Sequence, residues 1–312
     1  MKLLKRTVVP VVTIVLALSM TLGASAGQAV KFSDVKDTDW FKPYIDVMSQ
    51  KGICEGYGNG RYGPMDSLQV DQLIKLVVTA IGYKPKASTV DKDWAAVYIN
   101  KAKELGLVMD GEYTDYKRKI TRGEIARIIA RGMKETFPEN LDAYQSVMKD
   151  YQDISASKDR ESILKVYCKG IVNGYSDGRF GAIDNATRGE ASKMIVCLID
   201  PTKRTPVDAT KTEVIRGYTI PVVHTATLVT DSSLCDLDIV IHFNYLLESQ
   251  YNEIKTVLSS KFGNDLTDKI LDYAKLKKVV DYKLELKTFT VLGYEIIVKG
   301  GGWTVTILIY KK

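Results

Sequence analysis

Cysteine is scarce in this sequence and is irregularly placed. The 312 residues include four cysteines, with no C-x-x-C pair among them. A small disulfide scaffold is therefore excluded, because such scaffolds need dense cysteines and this chain is too long to depend on them. The thiols could still pair in an oxidising compartment, or remain buried and behave as small hydrophobes. They are Cys54, Cys168, Cys197 and Cys235.

The sequence also lacks a strong excess of basic or of acidic residues. The chain has 44 basic and 38 acidic residues, which gives a formal net charge of +6. Nucleic-acid binding is excluded on this ground, because it requires a basic face well above the background.

A long apolar run occurs only at the amino terminus. The basic start "MKLLKR" precedes the apolar stretch "VVPVVTIVLALSMTL" and the small-residue site "ASA". This order predicts a secretory signal peptide at residues 1–26. The alternative, an uncleaved membrane helix, is disfavoured because a span needs about 20 apolar residues. We therefore expect an exported protein without a membrane span after cleavage, with 41 basic and 38 acidic residues left.

The sequence also contains an internal threefold repeat. The stretch "GICEGYGNGRYG" from Gly52 aligns with "GIVNGYSDGRFG" from Gly170, and "GLVMDGEYTDY" lies between them. The three units span residues 31–85, 88–136 and 147–201. Each unit predicts a helix, a glycine-containing loop and a second helix, too small to bury its own apolar face. The three units must therefore pack together.

The pattern F-x-D-V…W…G-I-x-x-G-Y-x-D-G-x-F…T-R-x-E in tandem copies resembles the S-layer homology module of bacterial surface proteins. The resemblance covers residues 31–201. It implies a mainly α-helical, pseudo-threefold trimer of repeats around a helical bundle. It also implies a secreted protein of the cell wall or S-layer. The partner would be the pyruvylated secondary cell-wall polysaccharide, held non-covalently.

The tetrapeptide "TRGE" occurs before two of the second helices and has the spacing of a capping box. Arg122 and Arg188 stand at the first helical position, where a cation opposes the helix dipole. An anion bound there would explain them, and a pyruvate carboxylate suits a bidentate arginine. Capping alone remains the alternative. In either case the arginine side chain is expected to matter little for folding. The structural pairs are Thr121 with Glu124 and Thr187 with Glu190.

Aromatic residues are the other candidates for sugar contact. Trp40 and Trp94 could stack on a sugar face, or belong to the core, since both lie on an apolar helix stripe. Tyr57 and Tyr175 stand between glycines or polar residues in loops that we expect to be exposed. The resemblance places binding sites in grooves between repeats, so that the arginine of one repeat can meet the tryptophan of another.

Departures from the family pattern limit the number of sites. Asp34 and Asp153 match the family's F-x-D aspartate and could accept sugar hydroxyls, although capping of the first helix is favoured. Val70 replaces the arginine in the first repeat, so at most two arginine-based sites are expected. A calcium loop is disfavoured, because "GYSDGRF" lacks the glutamate of an EF-hand. No metal or cofactor is expected.

Residues 202–212 read as a linker, and residues 213–312 predict a separate α+β domain. Its order is β-β-α-α-β-β-β, with one strand at 214–220 and two helices against one face of an antiparallel sheet. The triple glycine at 300–302 is expected at a hairpin tip, with close approach of a partner as the alternative.

The same domain lacks a recognisable catalytic motif. It contains no G-x-S-x-G, H-E-x-x-H or Cys–His constellation, and His224 and His242 are the chain's two histidines. Asp236 and Asp238 could bind a metal, but such carboxylates are usually solvated. We expect a non-enzymatic binding or assembly domain, with other S-layer or envelope proteins as partners. A small cell-wall enzyme displayed by the anchor is the alternative.

Overall fold

The computed structural model describes residues 30–85, 94–138, 140–230, 232–243 and 246–312. The predicted signal peptide at 1–26 and the opening of the second repeat at 88–93 lie outside this part of the chain. Within the described residues, no helix has both the length and the apolar character that a membrane crossing requires.

Each repeat contributes a first and a second helix on either side of its loop. The first helices are α1 (Lys42–Gln50), α3 (Trp94–Glu104) and α6 (Arg160–Cys168). The second helices are α2 (Val70–Ala80), α4 (Arg122–Gly132) and α7 (Arg188–Ile199). Shorter elements are the 3-10 helices Leu141–Val147 and Pro201–Lys203 and the helix α5 (Tyr151–Ser155).

The helices of different repeats pack against each other in a closed cycle. Helix α3 packs on α2, α6 packs on α4, and α1 packs on α7. Each first helix therefore covers the second helix of the preceding repeat, and the first repeat closes the cycle on the third. One continuous apolar core results, which includes Ile45, Ile128 and Ile195.

Backbone hydrogen bonds close a second cycle just before the second helices. Leu68 N donates to Ala186 O at 3.0 Å, Ala186 N donates to Ile120 O at 3.0 Å, and Ile120 N donates to Leu68 O at 2.9 Å. All three residues are buried. This ring fixes the starts of α2, α4 and α7 relative to one another.

The carboxyl-terminal part is an α+β domain with its own core. Its five-stranded antiparallel sheet has the order β3-β4-β7-β6-β5, and two helices cover one face. The strands are β3 (Thr227–Val229), β4 (Leu237–His242), β5 (Leu284–Val291), β6 (Tyr294–Gly301) and β7 (Thr304–Lys311). The helices are α8 (Leu247–Phe262) and α9 (Asn264–Ala274). The expected α+β class is confirmed.

The predicted strand at 214–220 is wrong, because this segment is a hairpin. Strands β1 (Thr212–Ile215) and β2 (Tyr218–Pro221) pair with each other around Arg216 and Gly217. Both turn residues have positive φ, 50° and 82°, as the tight turns that match strand twist require. The sequence prediction missed this turn because arginine rarely occupies such a conformation.

The predicted linker is held against the repeats. The Arg204 guanidinium donates to Cys197 O at 2.6 Å and pairs with Glu135 at 2.7 Å. Thr205 N donates to Gly170 O at 3.1 Å. The chain therefore leaves the repeat region along a fixed path.

Candidate functional site

The amino termini of α4 and α7 have complete capping boxes. Thr121 Oγ1 accepts from Glu124 N at 3.3 Å, and Glu124 Oε2 accepts from Thr121 N at 3.1 Å. Thr187 and Glu190 repeat the arrangement at 3.3 and 2.8 Å. In the first repeat Gln72 Oε1 still accepts from the backbone N of the residue before α2, at 3.2 Å. Position three of each second helix thus secures the start of its own helix.

The two arginines reach across to the next repeat. Arg122 Nε donates to Phe180 O at 2.9 Å, and Arg188 Nε donates to Tyr62 O at 2.8 Å. Only 5% and 7% of these arginines are exposed. Contrary to the sequence expectation, we therefore predict that they contribute to folding, because each one donates to a carbonyl of a neighbouring loop in a buried position.

Each guanidinium also lies over a loop tyrosine. Arg122 is 4.3 Å from the ring centre of Tyr175, and Arg188 is 4.8 Å from that of Tyr57. Burial raises the pKa of Tyr175 to about 12, and burial also raises the pKa of Tyr57. Both phenols therefore stay neutral at physiological pH and keep a hydroxyl for hydrogen bonding.

Two grooves gather the remaining candidates. The Arg122 groove, about 570 Å³, is lined by Arg122, Tyr175, Lys193 and Trp40. The Arg188 groove, about 340 Å³, has a matching set. That set is Arg188, Tyr57, Lys75 and Trp94. All three repeats contribute to each groove.

The tryptophans are not core residues. Trp40 is 54% exposed and Trp94 is 47% exposed, whereas Ile45 and Met48 of α1, which begins two residues after Trp40, are fully buried. Of the two alternatives left by the sequence, the structure excludes packing in the core. A half-exposed indole beside a buried arginine is a surface on which a sugar ring can stack.

Comparison with known proteins gives a family. A family model described as S-layer homology domain matches residues 31–66 and 148–192. These two segments contain α1 with its following loop, and the segment from α5 into α7. These two segments of the chain belong to the S-layer homology domain family.

The relatives of this chain are larger proteins. The cell surface protein of Thermoanaerobacter kivui is 32% identical over 36% of this chain and 14% of its own length. The endoglucanase of Bacillus sp. (strain KSM-635) is 27% identical over 61% of this chain and 21% of its own length. The surface layer protein of Brevibacillus choshinensis is 30% identical over 30% of this chain and 8% of its own length. The chain thus spans about a fifth or less of these relatives, which indicate a secreted, cell-wall-anchored surface protein.

At the third interface between repeats, Val70 replaces the arginine. Ion pairs fill this interface. Arg127 pairs with Glu112 at 2.5 Å and also with Asp159. Arg131 pairs with Glu112 at 2.6 Å. Burial acts to raise the pKa of Glu112, but hydrogen bonds from Arg131 and a backbone amide, with the nearby arginine charges, hold it below its ordinary value. The cations in this position are already neutralised by the protein.

The F-x-D aspartates do not cap the first helices, contrary to the favoured expectation. Asp34 accepts from Tyr62 N and Gly63 N, each at 2.8 Å, and so fixes the loop of its own repeat. In the third repeat Asp150 does this, accepting from Phe180 N at 2.7 Å and from the next amide at 2.8 Å. The predicted Asp153 is instead an exposed residue of α5. The assignment failed because the two acids are only three positions apart and the short helix shifts the register.

Sequence reasoning missed the glycine of "TRGE". A Cβ on Gly123 would lie 3.0 Å from Ala182 O, and one on Gly189 would lie 3.1 Å from Pro64 O and from the Phe41 ring. Glycine therefore allows the neighbouring repeat to approach. The groove lysines were also missed, although Lys75 and Lys193 stand five residues after Val70 and Arg188 in the repeat alignment.

The four cysteines are unpaired, and three of them are buried. Burial raises the pKa of Cys54 to about 12 and that of Cys168 to about 11. These thiols remain protonated at physiological pH, which fits the sequence alternative of buried free thiols.

Proposed function

We propose that the Arg122 and Arg188 grooves bind the pyruvylated secondary cell-wall polysaccharide and so anchor the protein. The observation that carries this proposal is the grouping of a buried arginine, a loop tyrosine and a half-exposed tryptophan in each groove. The arginine offers a charge-assisted contact to the carboxylate of the ketal, and the indole offers a stacking face. Lysines at the rim add attraction for an anionic polymer.

We also propose that the three repeats surround a pseudo-threefold axis. Two features support this arrangement: the cyclic packing of first helices on second helices, and the ring of hydrogen bonds through Leu68, Ile120 and Ala186. Such an arrangement creates three equivalent positions. Two of them hold the grooves, and ion pairs occupy the third.

Binding is tested by sedimenting the protein with purified wall sacculi before and after acid removal of the secondary polymer. The variant Trp40→Ala/Trp94→Ala should remain in the supernatant, because both stacking faces are lost while the buried core is untouched. Trp303→Ala is the matched control, since this indole is 60% exposed but lies in the carboxyl-terminal domain. Equal pelleting of the parent with stripped and intact sacculi would refute the proposal.

For residues 213–312 we propose a binding or assembly role without catalysis. Among the polar groups considered for chemistry, Asp236 and His242 make local structural bonds. Asp236 accepts from Lys261 Nζ at 2.7 Å and from Tyr218 OH at 3.0 Å, and the His242 ring bonds Thr227 Oγ1 at 3.0 Å. Turnover of wall polymers by the full chain, abolished by His242→Gln or Asp238→Asn, would overturn this proposal.

A further inference from the structure

The two grooves differ at a matched position of the helix that forms the groove wall. Their arginines, tyrosines, tryptophans and lysines correspond one to one, as do the hydrogen bonds from each arginine Nε to the neighbouring loop. The third residue of the helix that forms the groove wall is Glu190 in the Arg122 groove and Gln72 in the Arg188 groove. At this position the Arg122 groove therefore carries an acid, and the Arg188 groove carries a neutral amide.

In the Arg122 groove this acid occupies the arginine. Glu190 Oε1 lies 2.8 Å from Arg122 Nη1, and 13% of the Glu190 side chain is exposed. The negative charge of Glu190 also adds to the burial that raises the pKa of Tyr175. An incoming carboxylate would have to displace Glu190 from the guanidinium and then remain beside it. Like charges at such distances are strongly unfavourable when partly buried.

In the Arg188 groove the guanidinium has no such competitor. Among the described residues, none of the ion pairs involves Arg188, and its polar contact is the carbonyl of Tyr62. The neutral amide of Gln72 stands where the acid would be. Lys75 and Lys84 also line this groove, with Glu55 as the one acid in its described lining. The formal charge of the lining is therefore +2, against +1 for the Arg122 groove with Lys193 and Glu190.

At the interface where Val70 replaces the arginine, the acid at this helix position is also paired with an arginine of the protein. Glu124 is the equivalent residue of α4, and it forms a two-pronged contact with Arg118 at 2.5 and 2.9 Å. Wherever this helix position carries a glutamate, an arginine of the protein already neutralises it. The amide in the first repeat is the exception, and it leaves a buried arginine available.

We infer that Gln72 and Glu190 set the charge of the sugar that each groove accepts. The Arg188 groove takes the carboxylate-bearing sugar, and the Arg122 groove takes an uncharged sugar of the same polymer. This inference rests on the proposed function. It assigns the two grooves different ligands, although their aromatic and arginine residues are the same.

The exchange of these two residues separates ligand charge from folding. Glutamine and glutamate both accept from the backbone amide at the helix start, as Gln72 and Glu190 already do at 3.2 and 2.8 Å. Gln72→Glu and Glu190→Gln each place in one groove the residue that the other groove carries naturally. Thermal melts of both variants check that the helix start is intact.

The experiment is calorimetric titration of the full chain with a pyruvylated disaccharide and with its depyruvylated counterpart. The parent should bind one pyruvylated disaccharide tightly. Gln72→Glu should weaken that affinity by at least about tenfold, and Glu190→Gln should raise the stoichiometry for the pyruvylated sugar from one toward two. Glu285→Gln, at an exposed site outside the grooves and with the same change of net charge as Glu190→Gln, should behave like the parent.

The outcomes distinguish this inference from the function on which it rests. A parent that binds neither sugar contradicts the proposed function itself. A parent that binds two pyruvylated disaccharides with equal affinity, or a Gln72→Glu variant that keeps the parental affinity while melting normally, overturns the charge selection but leaves the grooves as binding sites.

Discussion

Four consecutive residues of α7 and its cap have four separate tasks. Thr187 caps the helix, Arg188 crosses to the loop of the first repeat, Gly189 allows the first repeat to approach, and Glu190 closes the capping box and neutralises Arg122. The repeated tetrapeptide is therefore a joint between repeats as well as a helix start. On the proposed function, ligand binding and structural support would depend on the same arginine.

This double role predicts the ranking of two stability changes. Arg188→Ala removes a buried hydrogen bond and a cation–π contact, and should lower the free energy of unfolding by about 2–3 kcal/mol. Thr187→Ala removes one cap contact and should cost about 1 kcal/mol. Urea unfolding of both variants measures the difference. A parental midpoint for Arg188→Ala would show that the cross-repeat bond contributes nothing.

At the scale of elements, the ion pairs around Arg127 take the place of a third groove. Two of their carboxylates have pKa values below the ordinary range, because the arginine contacts of Glu112 and Glu124 outweigh the opposing effect of burial. A carboxyl with a lowered folded pKa stabilises the fold above its unfolded pKa of about 4.3. This stabilisation is lost as the pH falls through the folded pKa.

Glu112→Gln should therefore change how the free energy of unfolding depends on pH in the acidic range. At pH 7 the variant should be less stable by about 1–3 kcal/mol, because Arg127 and Arg131 each lose a charged partner. Below pH 5 its stability should fall less steeply than that of the parent, since one titrating group is gone. Urea unfolding between pH 3 and pH 7 gives both slopes, and parallel curves would contradict the assignment.

The elements also show what the sequence could and could not predict. Repeat periodicity located the helices α2, α4 and α7 and the candidate arginines, because glycine loops and apolar stripes recur at fixed spacing. The sequence did not reveal that Asp150 replaces Asp153, because both acids precede the same loop at similar distances. It also could not show that Glu190 neutralises Arg122, since 68 residues separate the partners.

At the scale of the whole molecule, a narrow junction joins the repeats to the α+β domain. Val223 is buried in the core of the repeats, and His224 N donates to Ser146 Oγ at 3.2 Å. A cleft of about 670 Å³ lies beside it and contains both histidines together with Arg160 and Lys149. The junction thus combines a few specific contacts with a cluster of basic groups.

Burial lowers the pKa of His224 and of His242, although Glu253 and a backbone contact partly offset the effect at His224. The unfolded value is about 6.5, so the contribution of both residues to stability is present above that pH and is lost as the pH falls through the folded values. Protonation would also place new charges near Arg160 and Lys149, with Asp142 as the acid in the cleft lining.

We therefore expect the junction to loosen between pH 7.5 and pH 5.5. Hydrogen exchange of the amides at residues 222–226 should be faster at the lower pH, after correction for intrinsic rates. The variant His224→Gln/His242→Gln should show little such change, because glutamine does not titrate. The same acceleration in this variant would assign the pH response to other groups.

The packing of α1 on α7 has a consequence for the order of events during export. The apolar face of the first helix finds its cover on a helix more than a hundred residues later, so the earliest part of the domain to be secreted cannot complete its core alone. Contacts so distant along the chain must wait for the last of them to become available. The repeats should therefore acquire stable structure together, once Ile199 has crossed the membrane, and the grooves should become competent for the wall at that same moment.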